Sequence, residues 1–213
     1  MTKRPSCHLC LRPLATCICK YVQPVENLVS LVILQHPNEV YESKNSARLL
    51  HLCLKNSQID IGECFDDAFF TKLQNTQFYD LLLYPHTPEE KSLGIKPPPA
   101  VDPWRTNVRG DLTKLKNIRL WILDATWRKS RKMLYVNPAL QAMPRLSLQD
   151  CPPSIYTIRK AHSENQLSSL EASCYALQQL EANIVDYSPI LGAFADFVAE
   201  QLTFLPSSYL PSS

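Results

Sequence analysis

Only four glycines, Gly62, Gly94, Gly110 and Gly192, occur in 213 residues. Neither Gly-rich phosphate cradle, G-x-G-x-x-G or G-x-x-x-x-G-K-[ST], can be written anywhere in the chain. A backbone so short of glycine has few places to turn left-handed or to press against a pyrophosphate. Any adenosine-containing ligand must therefore be gripped by side chains and by loops shaped in another way. Seventeen prolines point to rigid loops as part of that shaping.

With glycine cradles excluded, the pattern of apolar runs sets the fold class. Apolar strands are expected at 28–34, 78–84 and 118–123, alternating with helical patterns near 44–55, 66–74 and 126–134. A short strand at 154–158, a long helix near 168–184 and another at 189–203 follow. Alternation of this kind predicts an α/β fold with a mostly parallel sheet and flanking helices. Residues 1–24 are rich in Cys and Pro and lack apolar periodicity, so a small N-terminal module of 1–24 is expected before a main domain of 25–213. The Pro-rich stretch 85–104 reads as a long loop, of a kind that is functional or mobile. No apolar run reaches the ~20 residues of a spanning helix, so no membrane association is expected. The start Met1-Thr-Lys-Arg-Pro-Ser-Cys7 lacks the apolar core of a secretory signal, and a cytoplasmic location is expected.

A net charge of +2 hides an asymmetry. Residues 105–132 hold nine basic side chains (Arg105, Arg109, Lys114, Lys116, Arg119, Arg128, Lys129, Arg131, Lys132) against two aspartates, a net +7. Residues 1–24 add Lys3, Arg4, Arg12 and Lys20 with no acid, whereas 161–213 carry six acids and no Lys or Arg. Two basic blocks read either as solvated helix faces or as a nucleic-acid footprint, and their recurrence favours the footprint.

Cys7-x2-Cys10-x6-Cys17-x-Cys19 places four thiols within thirteen residues. Four thiolates satisfy the tetrahedral preference of zinc and fold a segment too short for a core of its own. Such a set leaves no open coordination position, so the zinc is expected to be structural, with Cys7, Cys10, Cys17 and Cys19 as ligands. Cys53, Cys64, Cys151 and Cys174 are isolated in apolar patterns and read as packing residues.

Polar or Pro-containing motifs follow directly on three expected strand ends: Gln35-His36-Pro37-Asn38-Glu39, Pro85-His86 and Asp124-Ala125-Thr126-Trp127. Ligands of open parallel sheets bind beyond the carboxyl ends of strands, so these loops converge on one candidate crevice.

Seven motifs in series carry a resemblance: the cysteine cluster, Leu34-Gln-His-Pro-Asn-Glu39, Asn45-Ser-Ala-Arg-Leu49, Leu82-Leu-Tyr-Pro85, Leu123-Asp-Ala-Thr-Trp127, Tyr156-x-Ile-Arg-Lys160 and Leu167-Ser-Ser-Leu-Glu-Ala172. In that order and spacing the chain resembles the DTW-domain proteins, the bacterial tRNA-uridine aminocarboxypropyltransferases. One departure is Ser168-Ser169 where the family commonly has Ser-Thr, and a hydroxyl is retained. The resemblance implies a SPOUT-like fold with a C-terminal trefoil knot around an S-adenosylmethionine pocket, a feature that ordinary connection rules do not supply. It implies transfer of the 3-amino-3-carboxypropyl group of S-adenosylmethionine to N3 of a uridine in the tRNA variable loop, leaving methylthioadenosine. Tyr84, Pro85, Leu123, Asp124, Thr126, Trp127, Ser168 and Ser169 are the implied cofactor contacts. The partners are then tRNA and S-adenosylmethionine, with a monomer favoured.

The residues admit that chemistry with alternatives open. Uridine N3 must lose a proton, which calls for a base within hydrogen-bond reach, and Asp124 is the best-placed carboxylate. Asp124 also reads as a helix N-cap or as a grip for the ammonium group of the cofactor. Trp127 reads as a pocket wall. His36 reads equally as a structural histidine and as an RNA ligand. Ser168-x-x-Glu171 is a capping box. Arg48, Arg128, Lys129, Arg131, Lys132, Arg159 and Lys160 are candidate phosphate contacts together with His36. The rival readings are a SPOUT-type RNA methyltransferase and a non-catalytic zinc module that only binds RNA.

Overall fold

The structure is a computed structural model that describes residues 5–73, 77–87, 94–102, 111–148, 150–156 and 167–204. Among these, β1 (Ser30–Gln35), β2 (Ser57–Ile61), β3 (Tyr79–Leu83), β4 (Ile118–Asp124) and β5 (Arg145–Leu146) form one sheet in the order β2-β1-β4-β3-β5. Every pairing is parallel, as the alternating pattern predicts. The helices are α1 (Ala47–Cys53), α2 (Asp67–Leu73), α3 (Leu112–Lys116), α4 (Trp127–Val136), α5 (Pro138–Gln141), α6 (Ser169–Leu180) and α7 (Ser188–Thr203).

The central strands read as unbroken apolar runs because both faces of the sheet are covered. Leu31 and Ile33 of β1, with Leu120 and Ile122 of β4, pack on one face under α1, α6 and α7. Val32, Leu34 and Trp121 point the other way and pack with Phe70 of α2, Met133 and Leu134 of α4 and Leu140 of α5. This period-2 division follows from the pleat, in which successive side chains face opposite sides. Each fully buried Leu or Ile contributes about 1.5–3 kcal/mol over exposure, so register is fixed from both faces.

Polar anchors hold the sheet's amino end. Arg119 lies opposite Asp80 across the β3–β4 ladder and grips its carboxylate with two donors, Nε to Oδ1 at 2.5 Å and Nη2 to Oδ2 at 2.9 Å. The Arg119 guanidinium also sits over the rings of Phe78 and Trp121. Arg119 is therefore a buried anchor remote from the strand ends, and its place in an RNA footprint is corrected: its charge is spent on Asp80. At the end of α6, Glu181 is fully buried. Its Oε1 accepts from the backbone N–H groups of Leu28 and Val29, each at 2.8 Å, and its Oε2 accepts from the Tyr187 hydroxyl at 2.9 Å. This carboxylate fixes the chain entering β1.

The cysteine-rich segment packs on the main sheet's own core. Cys10 and Ile18 are buried in the cluster that includes α1 and α7. Arg12 reaches the Asn45 carbonyl at 2.9 Å and lies over the Phe197 ring, while Lys20 pairs with Glu200 at 2.6 Å. One expectation changes. Residues 154–156 form no strand, because their polar groups are taken by Glu171 of α6 instead of a ladder. Residues 157–166, on which a C-terminal knot and the Arg159 and Lys160 contacts turn, lie outside the described residues. No helix among the described residues is long and apolar enough to cross a membrane.

Candidate active site

Gln35 ends β1 directly opposite Asp124, which ends β4, so the two strand-end loops begin side by side. Asp124 is only 4% exposed. Its Oδ2 accepts from Gln35 Nε2 at 2.9 Å and from Asn45 Nδ2 at 2.6 Å, and its Oδ1 accepts from the Ser169 hydroxyl at 2.7 Å. One carboxylate thus ties the ends of β1 and β4 to the starts of α1 and α6. The N-cap of α4 is Thr126, whose side chain makes no capping bond. Asp124 is not the cap of α4.

A cleft of about 1140 Å³ opens beyond β3 and β4, walled by Leu83, Tyr84, Pro85, Leu123, Trp127 and the start of α6. Seven of the eight expected cofactor residues line it: Tyr84, Pro85, Leu123, Thr126, Trp127, Ser168 and Ser169. Asp124 lines a smaller adjoining cavity of about 280 Å³. Trp127 is 47% exposed and meets the buried Tyr84 ring edge-on, 6.2 Å between centroids. An exposed indole braced by a buried phenol is a ready stacking wall. Burial pushes the Tyr84 phenol up, opposed by its hydrogen bond with Ser130 and by the nearby Arg145 and Arg131.

Both serine hydroxyls serve the protein. Ser168 Oγ accepts from Glu171 N at 3.2 Å while Glu171 Oε2 accepts from Ser168 N at 2.8 Å, a complete capping box. Ser169 Oγ is given to Asp124. Ser168 Oγ keeps its own proton to donate, and Ser169 Oγ keeps a lone pair to accept.

The expected RNA contacts divide by exposure. Arg128 lines the cleft and is exposed, as are Arg131 and Lys132 on the same helix. Lys132 pairs with Glu63 at 2.7 Å, and Lys129 pairs with the buried Glu39 at 2.8 Å. The Lys132 ammonium, then His36, hold the Glu63 carboxyl below the usual range. His36 is 7% exposed. Its Nδ1 accepts from Asn38 N at 3.1 Å and its Nε2 lies 3.1 Å from Glu63 Oε1, so both ring nitrogens are engaged within the protein. Arg48 sits on α1, partly buried, with a buried Nε that has no hydrogen-bond partner. Sequence reasoning missed Gln35 and Asn45 as supports of Asp124. Their only signal was membership of the motifs after β1 and before α1.

The Cys7, Cys10, Cys17 and Cys19 sulfurs all lie within 4.8 Å of one another, with Cys7 to Cys19 and Cys10 to Cys17 at 3.7 Å. Tetrahedral zinc with ~2.3 Å bonds to sulfur needs sulfurs about 3.8 Å apart, so these residues fit the ion. Leu11 adopts φ 62° just after Cys10, and its N–H closes the knuckle on the Cys7 carbonyl at 2.9 Å. A leucine held left-handed costs about 1–2 kcal/mol, a strain that persists only where surrounding contacts enforce it. Backbone N–H groups of Cys10 and Leu9 draw the Cys7 thiol down to about 6, whereas burial and neighbouring thiols push Cys19 up to about 12.

The fold is an open, all-parallel α/β sheet with a cleft at the carboxyl ends of its strands, where ligands of such sheets bind. Within that class, the chain belongs to the DTW domain family, which matches residues 4–202. It is 27% identical over 191 residues to tRNA-uridine aminocarboxypropyltransferase 2 of Mus musculus, covering 85% of this chain and 58% of that protein. The same figures hold for the Macaca fascicularis protein of that name. The Drosophila melanogaster protein is 29% identical over 188 residues, covering 84% of this chain and 68% of its own length. The chain thus spans somewhat under two thirds of the mammalian relatives. No solved structure gives a significant match.

Proposed function

We propose that this protein transfers the 3-amino-3-carboxypropyl group of S-adenosylmethionine to N3 of a uridine in the variable loop of tRNA, in the cytosol. The observation that carries the reading is the coincidence of the DTW match with a strand-end cleft lined by Tyr84, Thr126 and Trp127. The relatives named as tRNA-uridine aminocarboxypropyltransferases support it. The substrate's sulfonium supplies the leaving group: an N3–C bond forms as the C–S bond breaks, its electron pair departs with neutral methylthioadenosine, and the N3 proton passes to a base.

The chain's task is mostly orientation, because three carbons on a sulfonium are electrophilic and placement decides which one reacts. Trp127 and Tyr84 offer a wall for a flat ring. Thr126 keeps its hydroxyl free of the helix start. Asp124, with three donors on its two oxygens, holds the loops in place and retains room for one further donor. That arrangement favours a grip on the substrate's ammonium group, with proton transfer to solvent, over Asp124 as the base. Arg128 and Arg131, exposed beside the cleft, would take tRNA phosphates. Arg159 and Lys160 are proposed for the same role. Zinc on Cys7, Cys10, Cys17 and Cys19 would cross-link the N-terminal module and hold it on α7. A SPOUT-like fold with a C-terminal trefoil knot is proposed along with that activity.

The test is incubation of tRNA with the protein and S-adenosylmethionine, followed by mass mapping of the RNA. The expected result is an aminocarboxypropyl gain on one uridine and release of methylthioadenosine. Release of S-adenosylhomocysteine would instead define a methyltransferase, and RNA binding with no mass gain would define a non-catalytic module.

A further inference from the structure

The tip of the cysteine-rich segment leaves apolar side chains in water. Leu9, Leu11 and Leu14 are each between 42% and 57% exposed, and Pro5 and Pro13 are exposed beside them. Backbone bonds fold this stretch back on itself: Cys7 N–H donates to the Arg12 carbonyl at 2.8 Å and Leu14 N–H to the Pro5 carbonyl at 3.1 Å. A contiguous apolar patch rimmed by polar groups marks an interaction surface. Leu11 adds a second sign, because its φ of 62° is one that Gly or Asn adopts with far less strain. A strained residue that also exposes a large apolar group points to use of that group.

The place of the tip in the fold indicates what it meets. Arg12, between the exposed Leu11 and Pro13, donates to the Asn45 carbonyl, and Asn45 donates to Asp124. Two hydrogen bonds thus separate the tip from the carboxylate at the strand ends. Tyr41, 88% exposed, stands in the segment between β1 and α1 that leads to Asn45. A tRNA that places one nucleotide in the cleft is far larger than the cleft and must lie across the surface beside it. Taking that nucleotide out of its stack uncovers the faces of its neighbours.

We propose that Leu9, Leu11 and Leu14, with Tyr41, form a platform for unstacked bases of the tRNA loop around the target uridine. This rests on tRNA as the substrate proposed above. Single-stranded RNA is held largely through the flat faces of its bases, which apolar and aromatic side chains cover without regard to sequence. Residues 1–24 carry four basic groups and no acid, so a polyanion can approach the tip, whereas a second copy of the chain would bring like charges together. Arg128 and Arg131 would then hold phosphates on one side of the site while the tip takes bases on another.

Fluorescence anisotropy of labelled tRNA, titrated with the full chain at a series of salt concentrations, tests the platform. Leu11→Asn and Leu14→Ser should each weaken binding about 4- to 10-fold, and Tyr41→Ala about 5- to 100-fold. The slope of log affinity against log salt should stay at the parental value in all three, because no phosphate contact is removed. Leu11→Asn should also keep its zinc and unfold at or above the parental temperature, since the left-handed strain is relieved. Unchanged tRNA affinity in the three variants overturns the platform while the tRNA reading stands. If those variants instead lose self-association, or sedimentation with phosphatidylserine vesicles, the tip belongs to a second copy or to a lipid surface. Failure of the unaltered protein to bind tRNA at any salt removes both readings. Should Leu14→Ser lose its zinc, Leu11→Asn and Tyr41→Ala still decide.

Discussion

Asn45 donates to Asp124 at 2.6 Å across 79 residues of chain, and both side chains are more than nine-tenths buried. Asn45 also accepts, through Oδ1, from the Arg48 N–H of the first turn of α1 at 3.2 Å. The amide is therefore a strut between the DTW motif and the helix that packs under β1.

That strut gives a graded prediction. Asn45→Ala withdraws one donor from a buried carboxylate and should cost about 1–3 kcal/mol in urea denaturation. Ser169→Ala removes the donor on the other oxygen and should cost at the lower end of that range. Asp124→Asn turns one side of the group from acceptor to donor, facing Gln35, Asn45 or Ser169, and should destabilise more than either. If Asn45→Ala unfolds at the parental urea midpoint, the strut has no energetic role.

Glu181 should make stability depend on pH. Burial pushes its carboxyl above the ordinary range despite the donors from Val29, Tyr187 and Leu28. The folded chain then binds that proton more tightly than the unfolded chain, whose glutamates titrate near ~4.3. Stability from this site is full below that value and declines as pH rises through the raised one. Glu181→Gln, which keeps an acceptor for Leu28 and Val29, should flatten that decline. Glu181→Ala leaves two buried N–H groups unpaired, and should cost about 2–5 kcal/mol throughout. Urea titrations at a series of pH values read both.

Zinc content and thermal stability should move together. Metal analysis is expected to find one zinc per chain, and Cys17→Ser should abolish it. Because Arg12 and Lys20 bind the cysteine segment to Phe197 and Glu200 of α7, metal loss should loosen that helix. A loss of even 2 kcal/mol would lower Tm by about 4–8 °C for a domain of this size. An unchanged Tm after chelation, with zinc shown to be gone, contradicts this.

Binding of tRNA should weaken steeply with salt, and the basic residues should contribute unequally. Arg128→Gln and Arg131→Gln should each lower the slope of log affinity against log salt by about one. Arg119→Gln should leave the slope alone and reduce stability, because its guanidinium is buried against Asp80. Lys129 and Lys132, paired with Glu39 and Glu63, should contribute less than one each.

How far the sequence could be read depended on where each side chain's partners lie. β1, β3 and β4 were legible because their runs of Leu, Ile and Val are buried on both faces. β2, Ser-Gln-Ile-Asp-Ile, was not foreseen: it lies at the sheet edge with no residue fully buried, so no apolar run marks it. β5 is only two residues long. The capping box at Ser168 was legible because it is local. The ties of Asp124 to Gln35, Asn45 and Ser169 were not, since no period or spacing joins residues so far apart. The same applies to Arg119, whose charge looked like part of a footprint until Asp80 appeared across the ladder.

The sheet's middle strand, β4, pairs with β1, and Gln35 is 89 residues from Asp124. A ribosome adding about 5–20 residues per second needs roughly 4 to 18 s to deliver the second strand after the first. Throughout that wait β1 hangs from the exit tunnel with greasy flanks on both sides and only the half-polar β2 to lean on. Assembly of this protein is thus timed by translation of its own midpoint, and its first third is a natural client for chaperones.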